Sequence, residues 1–145
     1  MCSAWSTGRL IPSIPWRKKD VLGILAAHGV PYVATVSLAH PDDAMRKLRR
    51  ALDERGFRFL HVLSPCPTGW KSEPADGIEL VRLAVRSGLY PVYEIFDGER
   101  VEVNGPTRHD DALARYFSLQ GRFRRAQVDL AAVRADIERM WRRLG

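Results

Sequence analysis

The stretch PYVATVSLAHPDDAMRKLRRALDERGFRFLHVL, residues 31–63, decides the fold of this chain. Its first segment, PYVATVS, is rich in β-branched residues and predicts a strand. A helix is expected next, because Pro41 suits the first helical position and the carboxylates of Asp42 and Asp43 face the helix dipole. The last segment, FRFLHVL, is almost continuously apolar, which is typical of a strand covered on both faces. Two strands joined by a helix form a right-handed parallel crossover, so this stretch indicates an α/β layer architecture.

The helix in this stretch has an apolar side and a basic side. Its predicted buried face consists of apolar side chains at helical spacing: Ala44, Leu48, Ala51 and Leu52. Its predicted outward face consists of basic side chains: Arg46, Lys47, Arg49, Arg50 and Arg55. Gly56 is expected to end the helix, since glycine is common just past a helix C-terminus.

One further helix is predicted on each side of the crossover. Residues 18–28 carry apolar residues at helical spacing and stop at Gly29. Residues 78–85 are apolar nearly all round and are closed by Gly88. A helix of that kind is expected to be covered on more than one side.

The last third of the chain predicts a hairpin and two helices. Strand-like residues 90–96 and 99–103 flank the pair Asp97-Gly98, which is a strong hairpin signal. Asn104-Gly105-Pro106 then breaks the chain, and helical patterns follow at residues 110–120 and 129–143.

The length of 145 residues fits one domain with a substantial core. We predict the α/β class, with a partial doubly wound parallel sheet, a C-terminal hairpin and two terminal helices. The domain, residues 1–145, divides into an irregular lead-in at 1–17, an α/β core at 18–103 and a helical extension at 104–145.

Composition excludes several classes of protein. Hydrophobic residues make up 46% of the chain and charged residues 28%, which is ordinary for a globular protein and unlike a disordered one. No apolar run approaches the roughly 20 residues that a membrane span needs. The N-terminus lacks the pattern of a secretory signal, and the chain has two cysteines, Cys2 and Cys66. We therefore expect a cytoplasmic protein that does not associate with membranes.

The net charge of +6 arises largely from arginines near the C-terminus. These arginines are Arg122, Arg124, Arg125, Arg134, Arg139, Arg142 and Arg143. They share their segment with acidic residues, and no nucleic-acid motif accompanies them. A solvated or protein-facing surface is therefore favoured over a nucleic-acid interface.

Cys66 is the main candidate for chemistry, in the segment SPCPTGW that follows the second predicted strand. Prolines on both sides restrict the backbone around the thiol and hold it stiffly. In parallel sheets the carboxyl ends of strands are where ligands collect. The alternative is a packed thiol, since free cysteine often behaves as a small buried apolar residue.

Other catalytic or metal-binding patterns are weak. A nucleophile and base pair of Cys66 with His61 is poor, because the two residues are five positions apart and an odd spacing along a strand points side chains to opposite faces. HExxH, CxxC, GxGxxG and GxxxxGK[ST] are all absent, so no motif marks a self-contained metal or nucleotide site.

Four segments resemble one family of enzymes. The segments are HGVPYVAT at residues 28–35, HVLSPCPTGW at 61–70, GLYPVYE at 88–94 and YFSLQGRF at 116–123. In that order they are similar to the β subunit of the 2-oxoacid:ferredoxin oxidoreductases, the pyruvate synthase type. The resemblance implies a thiamine diphosphate-binding fold.

The resemblance also implies cofactors and a site. In this family thiamine diphosphate with Mg²⁺ decarboxylates pyruvate or another 2-oxoacid, the acyl fragment passes to coenzyme A, and electrons leave through [4Fe-4S] clusters to ferredoxin. Cys66 matches the last of four cysteines that hold the cluster nearest the thiamine. The N–H groups of Thr68, Gly69 and Trp70 are then candidate donors to cluster sulfurs.

The chain also departs from the family pattern. The CxxC pair, the Gly-Asp-Gly stretch and the following asparagine of the subunit's earlier half are absent, and Cys2 matches no ligand. The resemblance therefore implies the C-terminal half of a β subunit. Its partners would be the front half of the β subunit and the α, γ and δ subunits, and we expect the isolated chain to be inactive and to hold neither cofactor tightly.

A half domain should leave an apolar face for a partner. Two parallel strands and a hairpin are too few to cover the apolar helix at residues 78–85, so we expect that face on this helix. Two other functions stay open: a non-catalytic module or truncated remnant that docks on an oxidoreductase subunit, and a nucleic-acid binder, whose affinity would fall steeply with salt.

Overall fold

A four-stranded mixed sheet organises the computed structural model, which describes residues 19–106, 108–109 and 111–145. The strands are β1, Tyr32–Ser37; β2, Arg58–Leu63; β3, Tyr93–Phe96; and β4, Arg100–Val103, in the order β2-β1-β3-β4. β1 and β2 are parallel, whereas β3 is antiparallel to both β1 and β4. The predicted α/β class, with a parallel crossover and a C-terminal hairpin, is confirmed. The lead-in at 1–17, including Cys2, lies outside the described residues.

Six helices surround the sheet within the described ranges. They are α1, Val21–Ala27; α2, Pro41–Asp53; α3, Pro67–Trp70; α4, Gly77–Arg86; α5, Asp111–Ser118; and α6, Leu130–Trp141. Local signals explain several of their ends. The side chain of Asp20 accepts the Gly23 N–H at 2.9 Å at the start of α1, and Asp129 accepts the N–H groups of Ala131 and Ala132 at the start of α6. Among the described segments, no helix is both long and apolar enough to cross a membrane.

The Asp97-Gly98 turn joins β3 to β4 as predicted. Both residues have positive φ, 51° and 75°, as a primed hairpin turn requires. The Glu99 N–H donates to the Phe96 carbonyl at 3.0 Å. A Cβ on Gly98 would lie 2.5 Å from the Ala26 carbonyl oxygen, so the turn packs closely against the end of α1.

The apolar core has three parts. On one face of the sheet, α2 covers Tyr32, Ala34 and Phe96, and on the other α1 covers Val33 and Ile95. The largest cluster lies among α3, α4, α5 and α6. Its buried members include Trp70, Leu80, Leu83, Leu113, Tyr116, Val133 and Ile137.

The predicted burial of α2 is confirmed for Ala51 and for the exposed arginines, but it is wrong at Lys47, Leu48 and Leu52. Lys47 is fully buried, whereas Leu48 and Leu52 are exposed. The helix is turned so that Asp43, Lys47 and Ala51, which are four residues apart, point towards the sheet. The amine of Lys47 tolerates burial because it donates to the Thr35 carbonyl at 2.9 Å and lies 2.9 Å from the Asp43 carboxylate.

The predicted cover of α4 on more than one side is confirmed, whereas the predicted apolar face left on it for a partner is wrong. Leu80, Val81, Leu83, Ala84 and Val85 are buried, because α5 and α6 return over the helix and share its cluster. On α4 only Ile78 is an exposed large apolar residue among those described. Other exposed apolar side chains lie on or next to α1, α2, β1, β2 and β4: Val21, Ile24, Leu38, Met45, Leu48, Leu52, Phe57, Val62, Val101 and Val103.

β2 is covered on both faces only in part: Phe59 packs on the α1 side of the sheet and Leu60 on the α2 side, but neither is fully buried. It forms an edge of the sheet in the part of the chain described, and none of its six residues is fully buried. All six residues of the neighbouring β1 are buried.

Candidate functional site

The carboxyl ends of β1 and β2 lie at the same edge of the sheet. Ser37 and Leu63, the last residues of the two strands, are opposite each other in the parallel register. The Leu38 N–H donates to the Leu63 carbonyl at 3.4 Å, so the two following loops leave the sheet side by side. This edge is where ligands collect in parallel α/β sheets.

Cys66 ends the three-residue loop after β2 and directly precedes the first turn of α3. Its backbone is extended, with φ −133° and ψ 85°, and Pro67 occupies the first helical position. The residue is partly exposed, so the thiol is neither sealed in the core nor fully solvated. It packs at the margin of the cluster formed by α3 to α6.

Contacts on both sides hold the Cys66 loop in place. Before the thiol, the Pro65 ring packs on the backbone at the start of α4, where a Cβ on Gly77 would lie 3.1 Å from the proline Cβ. After it, the Lys71 carbonyl accepts the Gly121 N–H at 2.9 Å. Lys71 itself has a φ of 51°, the left-handed conformation that ends α3.

Trp70 anchors the far end of the loop in the core. Its ring is buried and lies edge-on to Tyr116, with the ring centroids 6.5 Å apart. The Arg122 guanidinium lies 5.6 Å from the Trp70 ring centroid and 4.6 Å from that of Phe123. Arg122 is therefore partly buried on aromatic rings, unlike the exposed arginines that follow it.

Of the three backbone N–H groups expected to donate to a cluster sulfur, one has another acceptor in the structure. The Trp70 N–H donates to the Cys66 carbonyl at 2.8 Å, so it does not point at a group bound by the thiol. Thr68 and Gly69 are exposed and lie in the first turn of α3, where N–H groups have no intrahelical partner. Their N–H groups are therefore the two of the three expected donors for which the described contacts show no backbone acceptor.

His40 lies at the same edge, just before α2. Its Nδ1 is 3.1 Å from the Ser37 hydroxyl oxygen, which also accepts the Ala39 N–H at 3.3 Å. Burial lowers the pKa of His40 below its ordinary value. Burial thus favours the neutral form of the ring, which is held next to the end of β1 by its contact with Ser37.

A buried charged network below α2 was not found from sequence. The fully buried Glu94 accepts from the Tyr32 hydroxyl at 2.6 Å and from Arg46 at 2.7 Å, and Arg46 also pairs with Asp43 at 2.7 Å. Burial raises the pKa of Glu94, but the hydrogen bonds from Arg46 and Tyr32 lower it more, so its net pKa is below the ordinary value. Spacings of three and four residues between Asp43, Arg46 and Lys47 were the available signal.

A separate cavity of about 410 Å³ lies between α1, one face of the sheet and α6. It is lined by Leu22, Thr35, His61, Tyr93 and Ile137, among others, and Cys66 is not among its described lining residues. The ring of His61 lies edge-on to Tyr90 there, with centroids 5.6 Å apart. The cavity and the Cys66 loop are different features of the fold.

The described residues around Cys66 can supply one ligand to an Fe–S cluster, but not a complete cluster site. Within the described ranges, no group of three or more His, Cys, Asp or Glu residues lies together in a way that could hold a metal ion. A [4Fe-4S] cluster takes four thiolates. Cys66 with the N–H groups of Thr68 and Gly69 suits a single Fe–S ligand position, whereas the described residues do not fit a complete cluster or a Mg²⁺-diphosphate site.

The fold and the edge loop define an α/β module with a partly exposed thiol at the carboxyl edge of its parallel strands. In comparisons with known proteins, the chain is similar to subunits of oxidoreductases. The chain is 40% identical over 129 residues to pyruvate synthase subunit PorB of Methanocaldococcus jannaschii, a match that covers 88% of this chain and 43% of the relative. It is 36% identical over 129 residues to ketoisovalerate oxidoreductase subunit VorB of Pyrococcus horikoshii, covering 88% of this chain and 42% of the relative.

A third relative is shorter in its match but more similar. Pyruvate synthase subunit PorB of Methanothermobacter marburgensis is 44% identical over 107 residues, 74% of this chain and 37% of the relative. No family model matches the chain. The chain spans less than half the length of the curated relatives it matches. It is a homologue of part of the PorB and VorB subunits, and the predicted relationship to the β subunit of this class of oxidoreductase is confirmed.

Proposed function

We propose that the chain forms part of a 2-oxoacid oxidoreductase of the pyruvate synthase type, and that Cys66 is one thiolate ligand of its [4Fe-4S] cluster. The observation that carries the proposal is the 40% identity to a pyruvate synthase subunit over 88% of the chain. The partly exposed Cys66 at the carboxyl edge of the sheet supports the ligand role. The relatives' names describe subunits, so the working protein is an assembly.

The cofactors of that assembly are thiamine diphosphate with Mg²⁺ and the Fe–S cluster. When bound, they supply decarboxylation of a 2-oxoacid and transfer of two electrons towards ferredoxin, with the acyl group passing to coenzyme A. The role of this chain is to hold the Cys66 thiolate in a fixed position for the cluster. Packing of Pro65 on Gly77 and the bond from Gly121 to the Lys71 carbonyl hold that point.

The other thiolate ligands of the [4Fe-4S] cluster come from other polypeptides. One thiolate cannot bind four irons, and a metal-ligating thiol needs neighbours that orient it and tune the cluster. The N–H groups of Thr68 and Gly69, in the exposed first turn after Cys66, are the donors proposed for the same cluster sulfur, and such hydrogen bonds would stabilise the reduced cluster. The remainder of the β subunit and the other oxidoreductase subunits are thus the partners.

Co-expression with the unmatched part of the M. jannaschii PorB relative tests the proposal. We expect the purified complex to contain iron, acid-labile sulfide and thiamine diphosphate, and to reduce a viologen dye when pyruvate is added. Neither cofactor should co-purify with the chain expressed alone. A complex that forms without iron would contradict the oxidoreductase role and favour a non-catalytic docking module.

The ligand role of Cys66 has its own test. In the same complex, Cys66→Ser should lower the iron content and change the electron paramagnetic resonance signal of the reduced cluster. Thr68→Ala, a change in the same exposed turn that keeps the backbone donors, is the control and should leave both unchanged. Full iron content and an unchanged signal in Cys66→Ser would show that the thiol is only packed.

A further inference from the structure

The free edge of β2 is an incomplete part of the sheet. β2 pairs with β1 through all six residues, and no second partner strand lies beside it in the described ranges. The outer N–H and C=O groups of an edge strand are available for a further strand. Apolar strands of parallel sheets are normally buried on both faces, yet Val62 in β2 is 48% exposed.

The flank of α2 nearer this edge is apolar and uncovered. Met45, Leu48 and Leu52 follow one another at spacings of three and four residues and lie on one side of the helix. All three are exposed, Leu52 to 68%. Phe57, in the short connection between α2 and β2, is also exposed, to 63%. We call Met45, Leu48, Leu52, Phe57 and Val62 the β2-edge surface.

The opposite flank of α2 has a different character. Arg46 pairs with Glu94 of β3, and the Arg50 guanidinium lies 5.0 Å from the ring centroid of Phe96, also in β3. This basic flank therefore faces β3. Leu48 and Leu52, on the other side of the buried row at Lys47, face β2 and the space beyond its edge.

We propose that the β2-edge surface is where the rest of the β subunit joins this chain, by adding a strand to β2 and covering the apolar flank of α2. The inference rests on the proposed function for the identity of the partner. The match covers 43% of the M. jannaschii relative, so more than half of such a subunit lies outside it. An apolar surface of this kind, next to an open strand edge, fits a segment that completes one core and not a small polar ligand.

Hydrogen exchange and matched surface variants test the inference without any measurement of activity. The full chain is co-expressed with the unmatched part of the M. jannaschii relative, as above. Amides of β2 should exchange markedly more slowly in the complex than in the free chain, and those of β4, the other edge, should change little. Leu52→Lys should weaken binding about tenfold or more, as loss of a central interface anchor does.

Ile78→Lys is the matched control, because Ile78 is also an exposed apolar residue, 44% exposed, but lies on α4. Binding should be unchanged in this variant. A complex in which β2 exchange is unchanged and Leu52→Lys binds normally would overturn the inference, even if that complex holds iron and turns over pyruvate. Absence of any complex, or protection of β2 by a second copy of this chain, would overturn the assigned partner. Protected β2 amides in a complex without iron would support the interface while contradicting the proposed function.

Discussion

Helices α2 and α4 place their apolar side chains in opposite ways. α4 buries five of them under α5 and α6, which return over it from the end of the chain. α2 has the sheet on one side only, and it buries Lys47 while Leu48 and Leu52 stay outside. Apolar content alone therefore does not show which helix needs a partner. The decisive factor is whether another element of the chain comes back to cover it.

The largest expected effect on stability is at the buried lysine of α2. Lys47→Ala removes the donor to the Thr35 carbonyl and the partner of Asp43, and breaking a buried ion pair typically costs about 3–5 kcal/mol. Urea denaturation of the isolated chain measures this free energy of unfolding. Arg49→Ala, an exposed change on the same helix, should alter it by less than about 0.5 kcal/mol. Equal effects of the two variants would mean that Lys47 is not held inside.

Replacing one leucine by alanine in each helix compares the contribution of α2 and α4 side chains to stability directly. Leu80→Ala in α4 removes a fully buried side chain and should lower the free energy of unfolding by about 2–5 kcal/mol. Leu52→Ala in α2 makes the same chemical change at an exposed site and should cost less than about 0.5 kcal/mol in the isolated chain. Urea midpoints of both variants, measured together, give the difference. A large loss from Leu52→Ala would show that the flank of α2 is already covered within the chain.

The smallest expected effect concerns the carboxylate beneath α2. Glu94→Gln replaces the charged acceptor of Tyr32 and Arg46 and should cost about 1.5–3 kcal/mol at pH 7. Because the folded pKa of Glu94 is below its ordinary value, its contribution is complete above about pH 4.5 and is lost as pH falls through the folded pKa.

The pH dependence of the free energy of unfolding therefore tests the role of the Glu94 carboxylate. The stability difference between the natural chain and Glu94→Gln should shrink as pH falls below about 4.5, as followed by urea denaturation at several pH values. Asp53→Asn, a change at an exposed carboxylate of α2 for which no buried contact is present among the described residues, serves as control. A difference that stays constant down to pH 3 would contradict the assigned role of Glu94.

Much of the fold could be predicted because its signals are local. Pro41, Gly29 and the Asp97-Gly98 pair fix where elements begin, end and turn, and each does so through its own backbone preferences. The Cys66 loop was also found from sequence, since two prolines after an apolar strand restrict it strongly. Its ligand role stays a prediction.

The burial of Lys47 in α2, the open edge of β2 and the identity of the elements that cover α4 could not be predicted in the same way. A basic stripe on a helix usually faces water. No local pattern therefore indicated that the Lys47 amine points into the sheet and donates to the Thr35 carbonyl of β1. The network at Glu94 joins residues 48 and 62 positions apart, and its partners are chosen by strand pairing.

By itself, the sequence determined the order of helices and strands, the hairpin turn, the place of the thiol and the relationship to the oxidoreductase subunit. These depend on backbone preferences of neighbouring residues and on motifs, both of which are written along the chain. Only the tertiary structure decided that α5 and α6 cover α4 and that the apolar flank of α2 beside β2 stays exposed. Burial depends on which distant segments meet, and that follows from packing of the whole chain.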